Sequence, residues 1–125
     1  MEKLSVSQED YLKEIYLMHV QGHPVRATDI ARLLGISKPS VTKAINLLKR
    51  QGYISHESYG AIELTPEGLK AGEELANNYR TVYKFLVDVL GVPPETAGVE
   101  AHGIEHVISK GTRKKMKKHI KKQIK

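Results

Sequence analysis

Residues 27–54, ATDIARLLGISKPSVTKAINLLKRQGYI, decide the fold. Ile30, Ala31, Leu33 and Leu34 lie at helical spacing, with Thr28 placed as an N-cap and Gly35 just past the end. Glycine adopts a positive φ at no steric cost, which suits it to closing a helix. Ser37 then reads as the cap of a second helix, with Pro39 in its first turn, where a missing N–H matters little. That helix carries an apolar stripe, Val41, Ala44, Ile45 and Leu48, opposite a polar face of Ser40, Thr42, Lys43, Asn46, Lys49 and Arg50. A small residue in the first helix, a glycine at the turn and a short second helix with a polar outer face are the requirements of a helix–turn–helix.

Working outward, the chain supplies the rest of a small regulatory domain. Upstream, Leu12, Ile15 and Tyr16 mark a helix over about 5–21, with Ser7 as its start and Gly22, His23 and Pro24 as its stop. Downstream, Tyr53 and Ile54 and then Ala61–Leu64 read as two short strands around Ser58, Tyr59 and Gly60, a hairpin in the position of a wing. Thr65, Pro66 and Glu67 open a long helix to about Leu90, closed by Gly91 and Pro93, and a further helix is expected over 96–109. The fold class expected is mainly α: a winged helix–turn–helix DNA-binding domain over 1–66, followed by an α-helical domain over 67–125.

In such a domain the second helix enters the major groove and its first-turn side chains meet base edges. That makes Ser37, Pro39 and Lys43 the base-edge candidates. Thr28, Ser40, Thr42, Arg50 and the wing tip at Ser58 and Tyr59 are the phosphate candidates, which would set register without reading sequence. A winged helix can also serve as a protein-interaction module.

Charge has to be read by position. The net charge is +6, but Lys110–Lys125 holds nine Lys or Arg and no acid, so the preceding 109 residues carry 11 bases against 14 acids. The basic character is therefore a property of the tail, where Met116, Ile120 and Ile124 fall at helical spacing. The tail reads as a solvated helix end, an extra phosphate grip or a disordered arm. With 40% apolar residues a folded globule is expected. No apolar run approaches the roughly 18–20 residues of a bilayer span, and the N-terminus has no apolar signal core. Cysteine is absent, which excludes disulfides and thiol chemistry and fits a cytoplasmic chain. No HExxH pair and no nucleophile elbow is present, so neither an enzyme nor a small organic substrate is expected.

The remaining signal is AHGIEH, residues 101–106. On a helix His102, Glu105 and His106 lie at i, i+3 and i+4, hence on one face. Two imidazoles and a carboxylate form a metal-ligand set in type and spacing, with room for a fourth ligand from another element. Surface histidines near a glutamate are the other reading of the same spacing.

Taken together, SQEDYLKEIY, VRATDIARLLGISKPSVTKAINLLKRQGYI, LTPEG, FLVDVLGVPPE and GIEHVIS, in that order, resemble the diphtheria-toxin-repressor and manganese-transport-regulator family of metal-dependent repressors. The resemblance runs from residue 5 to about 109. It implies a principal metal site of Asp10, His102, Glu105 and His106, joining the first helix to the helix that carries GIEH. Glu105 and His106 match directly; His102 stands where members carry cysteine or glutamate. Lys13, Tyr79, Tyr83 and Gly98 replace ligands of a second site, so one divalent metal per subunit is expected, Mn or Fe first, with Zn, Co or Ni compatible. The resemblance also implies that 67–125 is a metal-binding and dimerisation domain, in a homodimer on a pseudo-palindromic double-stranded operator. Phe85, Leu86, Val89, Leu90, Ile104, Val107 and Ile108 offer an apolar surface for that dimer, or else form the subunit's own core. Longer members carry a further C-terminal domain, which implies a short form here. The alternative is a winged-helix regulator that does not sense metal.

Overall fold

A computed structural model describes residues 4–58 and 60–123. The chain divides into two compact units, Met1–Glu73 and Glu74–Lys125. In the first, α1 (Val6–Val20), α2 (Ala27–Leu34) and α3 (Lys38–Arg50) precede a two-stranded antiparallel sheet of β1 (Ile54–Ser58) and β2 (Ala61–Leu64). Helix α4 runs Pro66–Lys84. In the second unit it passes into a π-helical segment, Phe85–Val89, followed by α5 (Pro94–Ile104) and α6 (Lys110–Gln123).

The core of the first unit is built from one stripe of each helix. Leu12, Ile15, Ile30, Val41, Ile45 and Leu48 are buried together with Val25, Tyr53, Ile54 and Ile62. The α3 stripe read from the sequence is therefore the inward face, with Ala44 partly buried beside it. Fully burying side chains of this size stabilises by about 1.5–3 kcal/mol each, which seats α3 far more firmly than its lysine-rich outer face could.

Three helix starts differ from expectation. The N-cap of α1 is Ser5 rather than Ser7: its side chain accepts from Gln8 N while Gln8 Oε1 accepts from Ser5 N, a reciprocal capping box. Helix α2 begins at Ala27 after an extended Arg26, with no side-chain cap, so Thr28 lies inside the helix. Helix α5 opens at Pro94, two residues before Thr96, and ends at Ile104 rather than Ser109. Ser37 and Gly35 hold the expected places, Ser37 accepting from Ser40 N and Gly35 lying at φ 65°.

The wing is tied to the rest of its unit by backbone bonds. Ile62 N donates to Val25 O at 2.7 Å, joining β2 to the segment that enters α2. A register shift between Ile54 and Glu57 marks a bulge in β1. At the root, Thr65 Oγ1 donates to Gly52 O at 2.7 Å and accepts from Gly68 N at 3.1 Å. One hydroxyl thus joins the turn after α3 to the first turn of α4. Gly68 has no room for a Cβ, which would meet the Tyr53 carbonyl oxygen.

In the second unit α5 and α6 both pack on the π-helical segment. The expected α-helix to Leu90 is thus widened at its end, where Leu90 N donates to Phe85 O five residues back. Among the described residues of this unit the buried apolar side chains are Leu75, Ala76, Val82, Ala97, Ala101 and Ile120, half of them alanine. Along α6, Arg113 and Ile120 are buried and Met116 is half-buried, while the lysines of 110–122 are exposed. The tail is therefore a docked helix over the described residues; Ile124 lies outside them. Among the described residues no helix is long and apolar enough to cross a membrane.

Candidate metal centre and nucleic-acid face

The metal-ligand candidates of the second unit are set by the packing of α5. Ala97, Ala101 and Glu105 follow each other at four-residue intervals, and all three are buried. Four residues is about one helical turn. The two alanines form the inward stripe of α5, and the same stripe carries the Glu105 carboxylate inward, to 1% exposure. His102 and His106 flank it. His102 Nδ1 lies 3.4 Å from Glu105 Oε1, and His106 Nε2 lies 4.0 Å from Oε2. The two rings meet edge-on, with centroids 5.7 Å apart and planes at 83°.

The environments of the two histidines differ. The His102 side chain is 51% exposed, whereas that of His106 is 4% exposed. Glu105 Oε2 and His106 Nε2 are closed to solvent. Glu105 is the C-cap of α5, and His106 follows in the turn. The helical face read from the sequence thus persists just past the helix end. A carboxylate withdrawn from water is tolerated only beside positive charge or strong donors. Two imidazoles and a carboxylate, with no thiolate, are the donor chemistry of a divalent first-row metal site. The residues present fit such an ion.

Asp10 belongs to the first unit, on α1, half-buried and with Oδ1 closed to solvent. Lys13, three residues on, is buried. Two of the four positions where second-site ligands were expected to be missing form an aromatic stack. Tyr79 and Tyr83 lie with centroids 6.0 Å apart and planes at 19°. Gly98 leaves its Cβ position 3.7 Å from the Tyr79 hydroxyl.

The first unit presents the other candidate surface. Pro39, Thr42, Lys43 and Arg50 share one shallow concavity of α3 with Lys38 and Asn46. Lys38 and Asn46 were not among the contacts inferred from sequence; the four-residue spacing of Lys38, Thr42, Asn46 and Arg50 was the available signal. Ser37 is engaged in its cap, where its hydroxyl donates to Ser40 Oγ at 2.8 Å. Ser40 and Thr28 are exposed. Ser58 ends β1, and Tyr59 lies outside the described residues.

Comparison with known proteins gives three findings. Residues 3–62 match the family described as iron-dependent repressor, N-terminal DNA-binding domain, and residues 65–123 match iron-dependent repressor, metal-binding and dimerisation domain. The chain is 37% identical over 107 residues to a helix–turn–helix transcriptional regulator of Methanocaldococcus jannaschii, covering 85% of this chain and 86% of the relative. It is 36% identical over 103 residues to the transcriptional regulator MntR of Lysinibacillus sphaericus, covering 82% and 73%. Among solved structures, IdeR of T. acidophilum superposes with a TM-score of 0.76 at 28% identity, over 95% of this chain and 55% of that one. The chain therefore spans about half the length of that structural relative.

Proposed function

Since the chain belongs to the iron-dependent repressor family of metal-dependent transcriptional regulators, we propose that it binds an operator as a homodimer and is switched by one divalent transition-metal ion per subunit. The observation that carries this reading is the buried Glu105 carboxylate between His102 and His106, in a chain that also holds a winged helix–turn–helix. His102, Glu105 and His106 would hold the ion, with Asp10 as the ligand from α1. The bound ion supplies positive charge that a carboxylate on α1 and the donors of α5 can share. Manganese or iron suits this nitrogen and oxygen set. Zinc, cobalt and nickel are compatible, and zinc would bind more tightly than manganese by the Irving–Williams order.

The chain's own residues then do the following. Val41, Ile45 and Leu48 lock α3 into the first unit, so that Lys38, Pro39, Thr42, Lys43, Asn46 and Arg50 face outward as a fixed set. Ser37 holds the first turn of α3, the part that meets base edges. In a dimer on a pseudo-palindromic site, the two copies of α3 must meet half-sites roughly 34–36 Å apart, or a multiple. Ligands on both α1 and α5 would favour the arrangement with that spacing, and a ligand shifts such an equilibrium only by its differential affinity for the two states. The pairing surface is supported by Leu90, Val99 and Val107, all exposed, and by the small apolar core of the second unit. The alternative is a regulator indifferent to metal. Mobility-shift assays with manganese and with chelator separate the two: chelator-sensitive retention of duplex DNA is expected, and chelator-insensitive retention overturns the switch.

Two further outcomes are expected. Titrating the metal-stripped protein with manganese should give one ion per subunit, because Tyr79, Tyr83 and Gly98 offer no imidazole or carboxylate; two ions would refute this. The second concerns α6, whose exposed lysines would add a phosphate grip. Replacing Lys114, Lys115 and Lys118 with glutamine should flatten the slope of log Kobs against log salt by about 0.9 for each phosphate no longer neutralised. An unchanged slope would remove α6 from the interface.

A further inference from the structure

The second unit contains a buried polar chain that the metal site itself does not account for. Arg113, on α6, is buried, and its Nη1 donates to Glu74 Oε2 at 2.6 Å and to Asn78 Oδ1 at 2.9 Å. Asn78, also buried, uses its other end: Nδ2 donates to the backbone carbonyl of Glu105 at 3.0 Å. Three elements are joined in this way, with α6 and α4 both fastened to the end of α5.

The bond to Glu105 falls at a place where a helix needs one. The last carbonyls of an α-helix have no partner within the helix, and one left unsatisfied in a buried position is costly. Glu105 is the C-cap of α5. Its carbonyl is thus satisfied from outside the helix, by a side chain 27 residues earlier. The direction of the Asn78 amide is also fixed. A guanidinium carries only donors, so it must face the amide oxygen, which leaves the NH₂ group aimed at the Glu105 carbonyl. Arg113 orients Asn78, and Asn78 holds the backbone of the residue whose carboxylate lies between His102 and His106. Glu105 and His106 sit at a helix end, where a backbone frays most readily. Their side chains can converge only if that end is held.

We propose that Asn78, oriented by Arg113, is a positioning residue for the metal site, setting the place of Glu105 and His106 through the Glu105 carbonyl. This rests on the reading of His102, Glu105 and His106 as metal ligands. Partners that orient metal ligands typically cost about 10–100-fold in affinity when removed, and that is the size of effect expected here.

The test compares the full chain with Asn78→Asp, Asn78→Ser and, as control, Glu74→Gln. Asn78→Asp keeps an acceptor for Arg113 but turns a carboxylate oxygen toward the Glu105 carbonyl. Asn78→Ser removes the donor without adding charge. Glu74→Gln alters the charge beside Arg113 and leaves the Asn78 bond in place. Manganese affinity is measured by competition with a chelator, the cobalt-substituted absorption spectrum reports ligand geometry, and melting of the metal-free protein reports stability. Both Asn78 variants should bind manganese about 10–100-fold more weakly and show an altered cobalt spectrum. Glu74→Gln should match the parent in both. If Asn78→Asp does not fold, Asn78→Ser decides. Variants that melt lower but keep the parent affinity and spectrum overturn the proposal by reducing Asn78 to a structural role. A parent chain that binds neither manganese nor cobalt overturns the metal reading and this inference together, whereas a parent that binds while Asn78→Ser binds equally well overturns this inference alone.

Discussion

Replacing His106 with alanine is expected to abolish metal-stimulated DNA binding while leaving the helical content of the metal-free chain unchanged. His106 is the more buried of the two imidazoles, and its Nε2 is closed to solvent 4.0 Å from the Glu105 carboxylate. Losing a ligand removes a bond to the ion itself, so the loss of affinity should exceed the roughly 10–100-fold of a missing outer partner. The switch is more sensitive still. Moving a two-state equilibrium from 1:99 to 99:1 needs about 10⁴-fold differential affinity, so a loss of that order collapses the response. Asp10→Ala should behave alike if α1 supplies a ligand. Manganese binding by competition, duplex retention with and without manganese, and circular dichroism form the test. A full metal response in His106→Ala would exclude this residue from the site. Coupling is reciprocal, so in the parent chain operator DNA should tighten manganese binding by the factor with which manganese tightens DNA binding.

Leu48→Ala is expected to lower unfolding stability by about 2–5 kcal/mol, the usual cost of a cavity left by a deleted leucine in a packed core. Leu48 has no exposed surface and sits in the α3 stripe between Val41 and Ile45 and the strands behind them. Domains of this size have total stabilities of about 5–15 kcal/mol, so the loss is a large share. Urea unfolding at fixed protein concentration should show a lower midpoint with an unchanged slope. A shift below about 0.5 kcal/mol, the size expected of an exposed substitution, would contradict the packing described for α3. DNA affinity should also fall, since this stripe seats α3 in its unit.

The first unit was largely legible because its signals are local. Ser37, Pro39 and the Val41–Leu48 periodicity act within a few residues of themselves, and the hairpin follows from the strand-forming run at 61–64. One of its two misread caps has a local cause too: Ser5 and Ser7 are both capping residues, and the reciprocal bond with Gln8 chooses between them. In the second unit, type and spacing were enough to nominate His102, Glu105 and His106. The burial of Glu105 could not be read, because it depends on Ala97 and Ala101 facing inward. Arg113 was hidden in the same way. In sequence it is one cation in a basic run, and its burial follows from Glu74 and Asn78, 39 and 35 residues away. The widening of α4 at Phe85–Val89 has no proline or glycine to announce it.

The Thr65 hydroxyl bears on how such a regulator can be controlled. Because it pins the end of α3 and the start of α4 at the base of the hairpin, strands and reading helix should travel as a single blade. On the proposed dimer an effector would then act less by bending one edge of the blade than by setting how far apart two intact blades are held, a regulation by calipers rather than by shape.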